Sequence, residues 1–583
     1  MNLFKSAIES LPQFRELKSA CDENTLPVLV TGVSAIHKAQ IAFSLAEEQM
    51  LIITEDEVTA SRFADDINQM AGDNICLVYP AKDYVFTDIE GASYEYEHRR
   101  LDVLSRLLSG KCRIVAASIE AVLQKTISKE RLSESVITLK QNDDIEIKEL
   151  LSKLVSIGYS RADEKVEGAA QFSARGSIVD IFPVQSSMPV RIEFWGDTID
   201  SISYFDIESQ RRNEKISEIS VSPAIEVVCD TETLISKIEE FSKGVKGKHA
   251  EDIKTKLSED IDKLKNGVTL NSRDKYLVIS DNPATLFDYI NGIVCISEIK
   301  NIVERAKGIV SQYNEDIKIL LERYELCKGL EGYMLDISEF THHLDDKKSV
   351  FLDTFARSSV DVHYKKIINI TAFQNSGWGG ELHQLTEDLS SYCKRGYSVI
   401  LLAGNEKTIK ILQNDLLDEN IPCDIATEKS SLIQGRVMLM PGSTSGGYEY
   451  PDIKQALITQ TQLSPSRRKL KKRKKGEEIK SLSDVSKGDL VVHNMYGIGS
   501  FDGIVKLDVS GVEKDYIKIK YAGTDVLYVP VTQMDLISRY IGPREDTSVK
   551  LNKLSSPEWQ KTRARVKSAV KDMADELITL YAK

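Results

Sequence analysis

The residues best placed to do chemistry form a turn at residues 31–39, directly after the first apolar run of the chain. In a phosphate-binding turn of this kind, glycines cradle the phosphates, a lysine reaches the β- and γ-phosphates, and the next Ser or Thr binds Mg²⁺. Here Gly32 is in place, but Lys38 follows His37 and precedes Ala39. We therefore expect a turn that keeps the fold and binds no nucleotide, with ATP binding as the alternative.

The surrounding pattern predicts an α/β architecture. Apolar runs at 26–31, 50–54, 75–79 and 113–117 alternate with helical stretches, which favours a parallel sheet. A second α/β unit is predicted over 360–460, from runs at 399–403, 423–426 and 436–440. The run at 276–280 also favours a strand. The 583 residues of the chain are enough for about four domains at ~150 residues each.

A second candidate site lies on two predicted strands at 171–183 and 190–197. Along the second strand, Arg191 and Trp195 alternate with apolar residues and therefore share one face. Tryptophan and arginine are typical of interface hot spots, so Arg191, Trp195 and the nearby Arg175 are our candidate contacts. In the alternative interpretation a loop covers Trp195, and Arg191 pairs with Glu193 or Asp180.

Residues 482–545 are predicted to form a small SH3-like or Tudor-like barrel. Short Val-, Ile- and Tyr-rich runs separated by glycines indicate a few strands joined by tight turns. Such a barrel buries its own core, so it should bind partners on its outside. Ile504, Val505 and Leu507 are predicted to lie on an edge strand, where a partner strand could add by backbone pairing. The alternative is that Leu507 points into the barrel core.

The segment before this module, residues 464–481, is strongly basic. We interpret it as a solvated linker, and the alternative is a strip that contacts DNA phosphates. Its candidate phosphate contacts are Arg467, Arg468, Lys471, Lys472 and Arg473.

The composition narrows the remaining possibilities. The net charge of −13 means that the surface as a whole does not favour nucleic acid. The eight cysteines are scattered singly, so neither a zinc site nor a disulfide framework is expected. No apolar run is long enough to span a membrane, and we expect a cytoplasmic protein.

Several blocks resemble one known family. Residues 79–108 and 171–197 are similar to the repair helicase UvrB, and residues 491–499 and 514–531 resemble the RNA-polymerase-interacting domain of the bacterial transcription-repair coupling factors (the Mfd family), with a weaker likeness to CarD-type regulators. The resemblance implies a UvrB-like module that recruits UvrA through Arg175, Arg191 and Trp195, and a barrel that binds the RNA polymerase β subunit. It also implies that a motor using ATP and magnesium to translocate on double-stranded DNA lies outside this chain, which should not itself be an ATPase.

The predicted fold class is a multidomain α/β protein, a UvrB-like parallel-sheet module with an inserted α+β domain, a second α/β domain, a barrel and a C-terminal helix. A UvrB-type helicase and a CarD-like regulator are the alternative functions. The predicted divisions are 1–136 and 224–345 for the UvrB-like domain, 137–223 for the UvrA-binding insertion, 360–460, the linker at 464–481, the barrel at 482–545 and a helix at 556–583 that leads towards the motor.

Overall fold

The structure is a computed structural model. It describes residues 2–551 except 85, 87–93, 163–164, 208, 267–269, 271, 357–361, 376, 428, 461–486, 494–495, 510–511, 523–525, 532–536 and 541–550. The candidate phosphate contacts at 467–473 and the helix predicted at 556–583 lie outside the described residues. Within the described part, no helix is both long enough and apolar enough to cross a membrane.

The elements are numbered in chain order. The strands are β1 (Val28–Thr31), β2 (Met50–Thr54), β3 (Cys76–Tyr79), β4 (Ile114–Ser118), β5 (Ile137–Lys140), β6 (Ser160–Arg161), β7 (Gln171–Arg175), β8 (Ile178–Phe182), β9 (Val190–Trp195), β10 (Thr198–Phe205), β11 (Arg212–Ile216), β12 (Glu218–Val221), β13 (Ile293–Ser297), β14 (Lys348–Asp353), β15 (Lys366–Asn369), β16 (Phe373–Asn375), β17 (Ser398–Leu402), β18 (Cys423–Ile425), β19 (Val437–Met440), β20 (Gly447–Tyr450), β21 (Gln455–Thr459), β22 (Leu490–His493), β23 (Gly497–Val509), β24 (Val512–Lys520), β25 (Val526–Pro530) and β26 (Ile537–Arg539). The helices are α1 (Leu3–Glu9), α2 (Pro12–Asp22), α3 (Ala35–Leu45), α4 (Glu57–Ala71), α5 (Glu95–Leu108), α6 (Ile119–Leu123), α7 (Lys129–Ser135), α8 (Ile147–Ser156), α9 (Thr231–Gly244), α10 (Ala250–Lys265), α11 (Leu277–Ser280), α12 (Leu286–Tyr289), α13 (Ile299–Glu322), α14 (Ile337–Asp346), α15 (Leu382–Lys394) and α16 (Glu406–Asp418).

The first sheet is parallel throughout, with the strand order β15-β1-β14-β13-β2-β4-β3. Its inner strands, such as β2 and β4, are buried at every position and are largely apolar because both of their faces are covered. Leu51 and Ile53 of β2 enter one core, whereas Met50 and Ile52 enter the other. Burial on both faces is typical of parallel sheets, and the predicted parallel α/β arrangement is confirmed.

A second sheet, between β5 and β12 in the chain, has the order β11-β10-β9-β8-β7-β6 and is antiparallel from β7 to β11. Along β9, residues alternate between buried and partly exposed until the last one, Trp195. The buried set, which includes Ile192 and Phe194, packs into the same core as one face of the first sheet. The opposite face of β9 therefore carries the polar residues.

The third sheet, β16-β20-β21-β17-β19-β18, is held against helices α3 and α4. The amide nitrogen of Gln40 donates to the Tyr448 hydroxyl at 3.1 Å, and the Tyr450 hydroxyl donates to the Gln40 amide oxygen at 3.1 Å. The carboxylate of Asp66 accepts hydrogen bonds from the backbone N–H and the hydroxyl of Ser445, at 2.7 and 2.6 Å. These buried polar contacts, together with a shared apolar core, fix this unit to the first one.

A five-stranded sheet with the order β25-β24-β23-β22-β26 forms the β-module near the end of the described chain. It has its own core, which includes Val491, Ile517 and Ile519. Tyr516 lies on the face of β24 that points away from this core, but it is also buried, with 3% of its surface exposed. Strand β24 packs against α13. Among the described residues β25 and β26 do not pair, so closure into an SH3-like or Tudor-like barrel stays a prediction.

One prediction in the helical region is wrong. Residues 276–280, expected as a strand, form the end of a short 3-10 helix and α11. Tyr276 is fully buried there, and its hydroxyl donates to Asp260 at 2.5 Å. A short apolar run fits a buried helical turn as well as a strand, and tertiary burial decides between them.

Candidate partner-binding surfaces

The polar face of the second sheet is organised around one buried carboxylate. Asp180 is 1% exposed and accepts two hydrogen bonds from Arg191, at 2.7 and 2.9 Å, and one from Arg175, at 3.0 Å. The cross-strand register places Asp180 opposite Arg191, which explains how the bidentate pair forms. Two guanidinium groups share one carboxylate, so the cluster carries a net positive charge.

Arg191 is held firmly within this cluster. Its side chain is 12% exposed, its guanidinium lies 4.4 Å from the centre of the Phe205 ring, and it also donates to the side chain of Gln210 at 3.0 Å. The hydrogen bonds to Asp180 raise the pKa of Arg191 above its ordinary value. The alternative in which Arg191 pairs with Asp180 is therefore observed. Arg191 holds the cluster together and exposes little of its own side chain.

Trp195 is the exposed member of the set. It ends β9 next to the tight turn at Gly196 and Asp197, where Gly196 has a φ of 64°, and it is 84% exposed. No loop covers it within the described part of the chain. The side chain of Arg175 is 51% exposed, so both Trp195 and Arg175 are accessible on this face.

Sequence reasoning did not identify Arg212 as part of this face. Arg212 of β11 forms an ion pair with Glu193, and the Ser201 hydroxyl donates to the same glutamate at 2.7 Å. The arginine side chain is 47% exposed, so it extends the charged surface beyond β9. Its 19-residue separation from Glu193 gave no local signal, because only the order of strands in the sheet brings the two together.

The β-module presents a partly open strand. Strand β22 pairs with β23 only at residues 497–500, whereas β24 pairs with β23 from Ser500 to Val509. Residues 504–509 therefore have β24 as their one strand partner in the described structure. Ile504 is 43% exposed, Val505 is half-buried, and Leu507 lies on this strand with a side chain outside the described part.

A charge cluster lies at the base of this open stretch. The carboxylate of Asp502 forms ion pairs with the ammonium groups of Lys487, Lys518 and Lys520, with N–O distances of 3.1, 3.2 and 3.0 Å. The hydrogen bonds from these lysines, Lys520 first, hold the pKa of Asp502 well below its ordinary value. One carboxylate against three ammonium groups leaves this part of the β-module positive, in contrast to the chain as a whole.

The turn at 31–39 is filled by the chain itself. Gly32 has a φ of 83°, and a Cβ atom there would lie 2.1 Å from the carbonyl oxygen of Ile370. The ammonium of Lys38 is 2.5 Å from the carboxylate of Glu298, which also accepts hydrogen bonds from Thr354. Burial lowers the pKa of Lys38. Lys38, the lysine that would face a phosphate, is thus paired with a carboxylate that directly follows β13.

Comparison with known proteins gives one family match over each of the two regions that carry these candidate surfaces. Residues 137–226 match the family described as the UvrB interaction domain, and residues 485–541 match the CarD-like/TRCF RID domain. The chain is 31% identical to the transcription-repair-coupling factor of Bacillus subtilis strain 168, over the whole of this chain and 51% of that protein. This chain is similar to the transcription-repair-coupling factors along its whole length.

Other relatives give the same result. The factor of Staphylococcus haemolyticus strain JCSC1435 is 30% identical over 98% of this chain and 50% of its own length. The factor of Staphylococcus aureus strain MRSA252 is 29% identical over all of this chain and 50% of its own length. The chain spans about half the length of the transcription-repair-coupling factors it matches, and the predicted resemblance to that family is confirmed.

Proposed function

We propose that this chain acts in transcription-coupled DNA repair as an adaptor that binds RNA polymerase through the β-module and UvrA through the face formed by Arg175 and Trp195. The observation that carries the proposal is the presence of a UvrB interaction domain and a CarD-like/TRCF RID domain in one chain. The polar face and the open strand lie on different sheets, which supports two separate binding surfaces. These partners act in the cytoplasm, which is the proposed location.

The UvrA surface divides into two roles. Trp195 and Arg175 are exposed and supply contact area and charge. Asp180 is buried and fixes the position of Arg175, and the mostly buried Arg191 holds Asp180 in place. An exposed indole and a guanidinium on one sheet face can each desolvate a large area with few rotamers lost, as in interface hot spots. Arg212 adds a further charge at the edge of this face.

For the polymerase, we propose that a strand of the β subunit adds to residues 504–509 of β23. Backbone pairing along an open strand gives affinity, and the side chains of Ile504, Val505 and Leu507 give specificity. The limited reach of β22 supports this, because it leaves the far half of β23 without a second partner strand in the described structure. The basic linker at 464–481 would contact nearby DNA phosphates.

ATP-driven translocation on double-stranded DNA is assigned to the part of the relatives that this chain does not span. Within this chain, the ion pair between Lys38 and Glu298 supports the absence of ATP binding at the degenerate turn. We therefore expect no ATP hydrolysis from the 583-residue chain, and magnesium and ATP would be cofactors of the motor alone. A rate of ATP turnover above background would contradict this assignment.

The proposal is tested by measuring binding of the chain to purified UvrA and to purified RNA polymerase, with one surface variant for each. We expect Trp195→Ala to weaken UvrA binding and to leave polymerase binding unchanged. Ile504→Arg and Leu507→Arg should do the reverse. Ile411→Arg is a matched control, because Ile411 is 64% exposed on α16 and lies on neither surface. If the unaltered chain binds neither protein, the proposed function is wrong.

A further inference from the structure

The helical region between the second and third sheets contains a cavity of about 680 Å³. It is lined by the C-terminal part of α9, by α10 and α11, and by the loop that follows α13. None of the residues assigned above to UvrA or polymerase lines it. Its volume lies within the range of roughly 300–1,000 Å³ that is usual for ligand-binding pockets.

The cavity walls are largely apolar. Phe241 and Val245 contribute from α9 and the residue after it, and Ile253 and Ile279 contribute from α10 and α11. Each of these four side chains is only half-buried, so the cavity leaves apolar surface in contact with water. Covering that surface with an apolar group would be favourable, at roughly 25 cal/mol per Å².

The rim of the cavity is positively charged. Three lysines and one glutamate, Glu240, line it. The ammonium of Lys237 is already engaged, since it donates to the carbonyl oxygen of Ser280 at 2.8 Å. Lys246 and Lys328 are exposed, and no carboxylate among the described residues pairs with either. A local excess of positive charge in a chain with a net charge of −13 favours an anionic ligand.

We propose that this cavity binds an acidic peptide segment of a partner protein, with a large apolar side chain inside the cavity and flanking carboxylates on Lys246 and Lys328. The arrangement of the lysines favours a peptide. Both are exposed and they come from different segments of the chain, Lys246 after α9 and Lys328 after α13, so each can pair with a separate carboxylate of one ligand. A peptide supplies carboxylates on both sides of an apolar residue.

Gly244 gives a way to close the cavity without disturbing the fold. It ends α9 and lines the cavity, and a Cβ atom built there meets no atom within 4 Å. Its φ is not in the left-handed region, so a larger residue is not strained. The Gly244→Leu variant should therefore fold normally while its side chain occupies the space that the ligand needs.

The test uses the 583-residue chain and a fluorescent hexapeptide with two glutamates on each side of a Leu-Phe pair, with binding followed by anisotropy. A peptide with lysines in place of the glutamates and one with alanines in place of Leu-Phe are the comparison probes. We expect the acidic, apolar peptide to bind at least tenfold more tightly than either, a margin that two or more charge contacts and one buried apolar group would produce.

Two variants and one control locate the site. The double variant Lys246→Glu/Lys328→Glu should lose the acidic peptide and prefer the lysine peptide, and Gly244→Leu should weaken binding about tenfold or more. The control Lys243→Glu/Lys248→Glu alters two exposed lysines nearby that do not line the cavity, and it should bind as the unaltered chain does. The proposal is overturned if the acidic peptide does not bind, or if the control loses as much affinity as the double variant.

Discussion

Replacement of Trp195 by alanine should weaken UvrA binding strongly and leave the fold intact. Complete burial of an aromatic side chain removes about 150–250 Å² from water. Because Trp195 is 84% exposed, most of that area is still available to a partner. At ~25 cal/mol per Å², burying the remaining 130–210 Å² or so would contribute about 3–5 kcal/mol to binding. Alanine keeps a small part of this area, so we expect a loss of about 2–4 kcal/mol, or ~30-fold or more in Kd.

The assay is calorimetric titration of UvrA with the chain, with thermal unfolding of both variants as the check on folding. The unfolding curves should coincide, because an exposed substitution usually changes stability by less than about 0.5 kcal/mol. Phe373→Ala is a matched control, since Phe373 is 55% exposed on the third sheet and should not affect UvrA. Unchanged affinity for Trp195→Ala, or an equal loss for Phe373→Ala, would refute the reasoning.

Three further predictions concern the buried charges and the open strand. Asp180→Asn should destabilise the second sheet by about 3 kcal/mol, because it leaves the mostly buried Arg191 without a carboxylate. Glu193→Gln removes a more exposed ion pair and should cost less than ~1 kcal/mol. Hydrogen exchange of β8 and β9 measures both losses, and equal effects would contradict the cluster. Burial raises the pKa of Asp66 to about 6, whereas its pKa in the unfolded chain is near 4. The protonated side chain therefore stabilises the folded state fully below pH ~4, and this stabilisation is lost as pH rises through about 6. Asp66→Asn should therefore flatten the dependence of the protection of residues 441–447 on pH, as measured by hydrogen exchange, and an unchanged pH profile would exclude Asp66 as the cause. Ile504→Arg should reduce polymerase binding at least ~tenfold and leave hydrogen exchange of the β-module unchanged, because it disturbs one exposed side chain and the backbone pairing beside it. Normal binding would place the contact elsewhere.

Regular patterns made part of this architecture predictable. The alternation of apolar runs with helices was enough to predict the parallel sheet, because strands buried on both faces read as continuous apolar segments. The alternation along β9 was enough to place Arg191 and Trp195 on one face. The open half of β23 was predicted as an edge, although β23 as a whole lies within the sheet and its first residues pair with β22.

Contacts between distant segments could not be predicted. Lys38 and Glu298 are 260 residues apart, and nothing near either residue indicates that they pair. The same limit applies to the hydrogen bond between Arg191 and the side chain of Gln210, which lies 19 residues away in the chain. Residues 276–280 were misassigned because four apolar residues fit a helical turn and a strand equally well until their neighbours are known.

The measurement that tests the adaptor role most directly is a mass-photometry experiment on the chain mixed with both UvrA and RNA polymerase. We predict a single complex that contains all three proteins, from which Trp195→Ala removes UvrA alone and Ile504→Arg removes polymerase alone. Binding of only one partner at a time, or loss of both partners from either variant, would contradict the account of two independent surfaces on one chain.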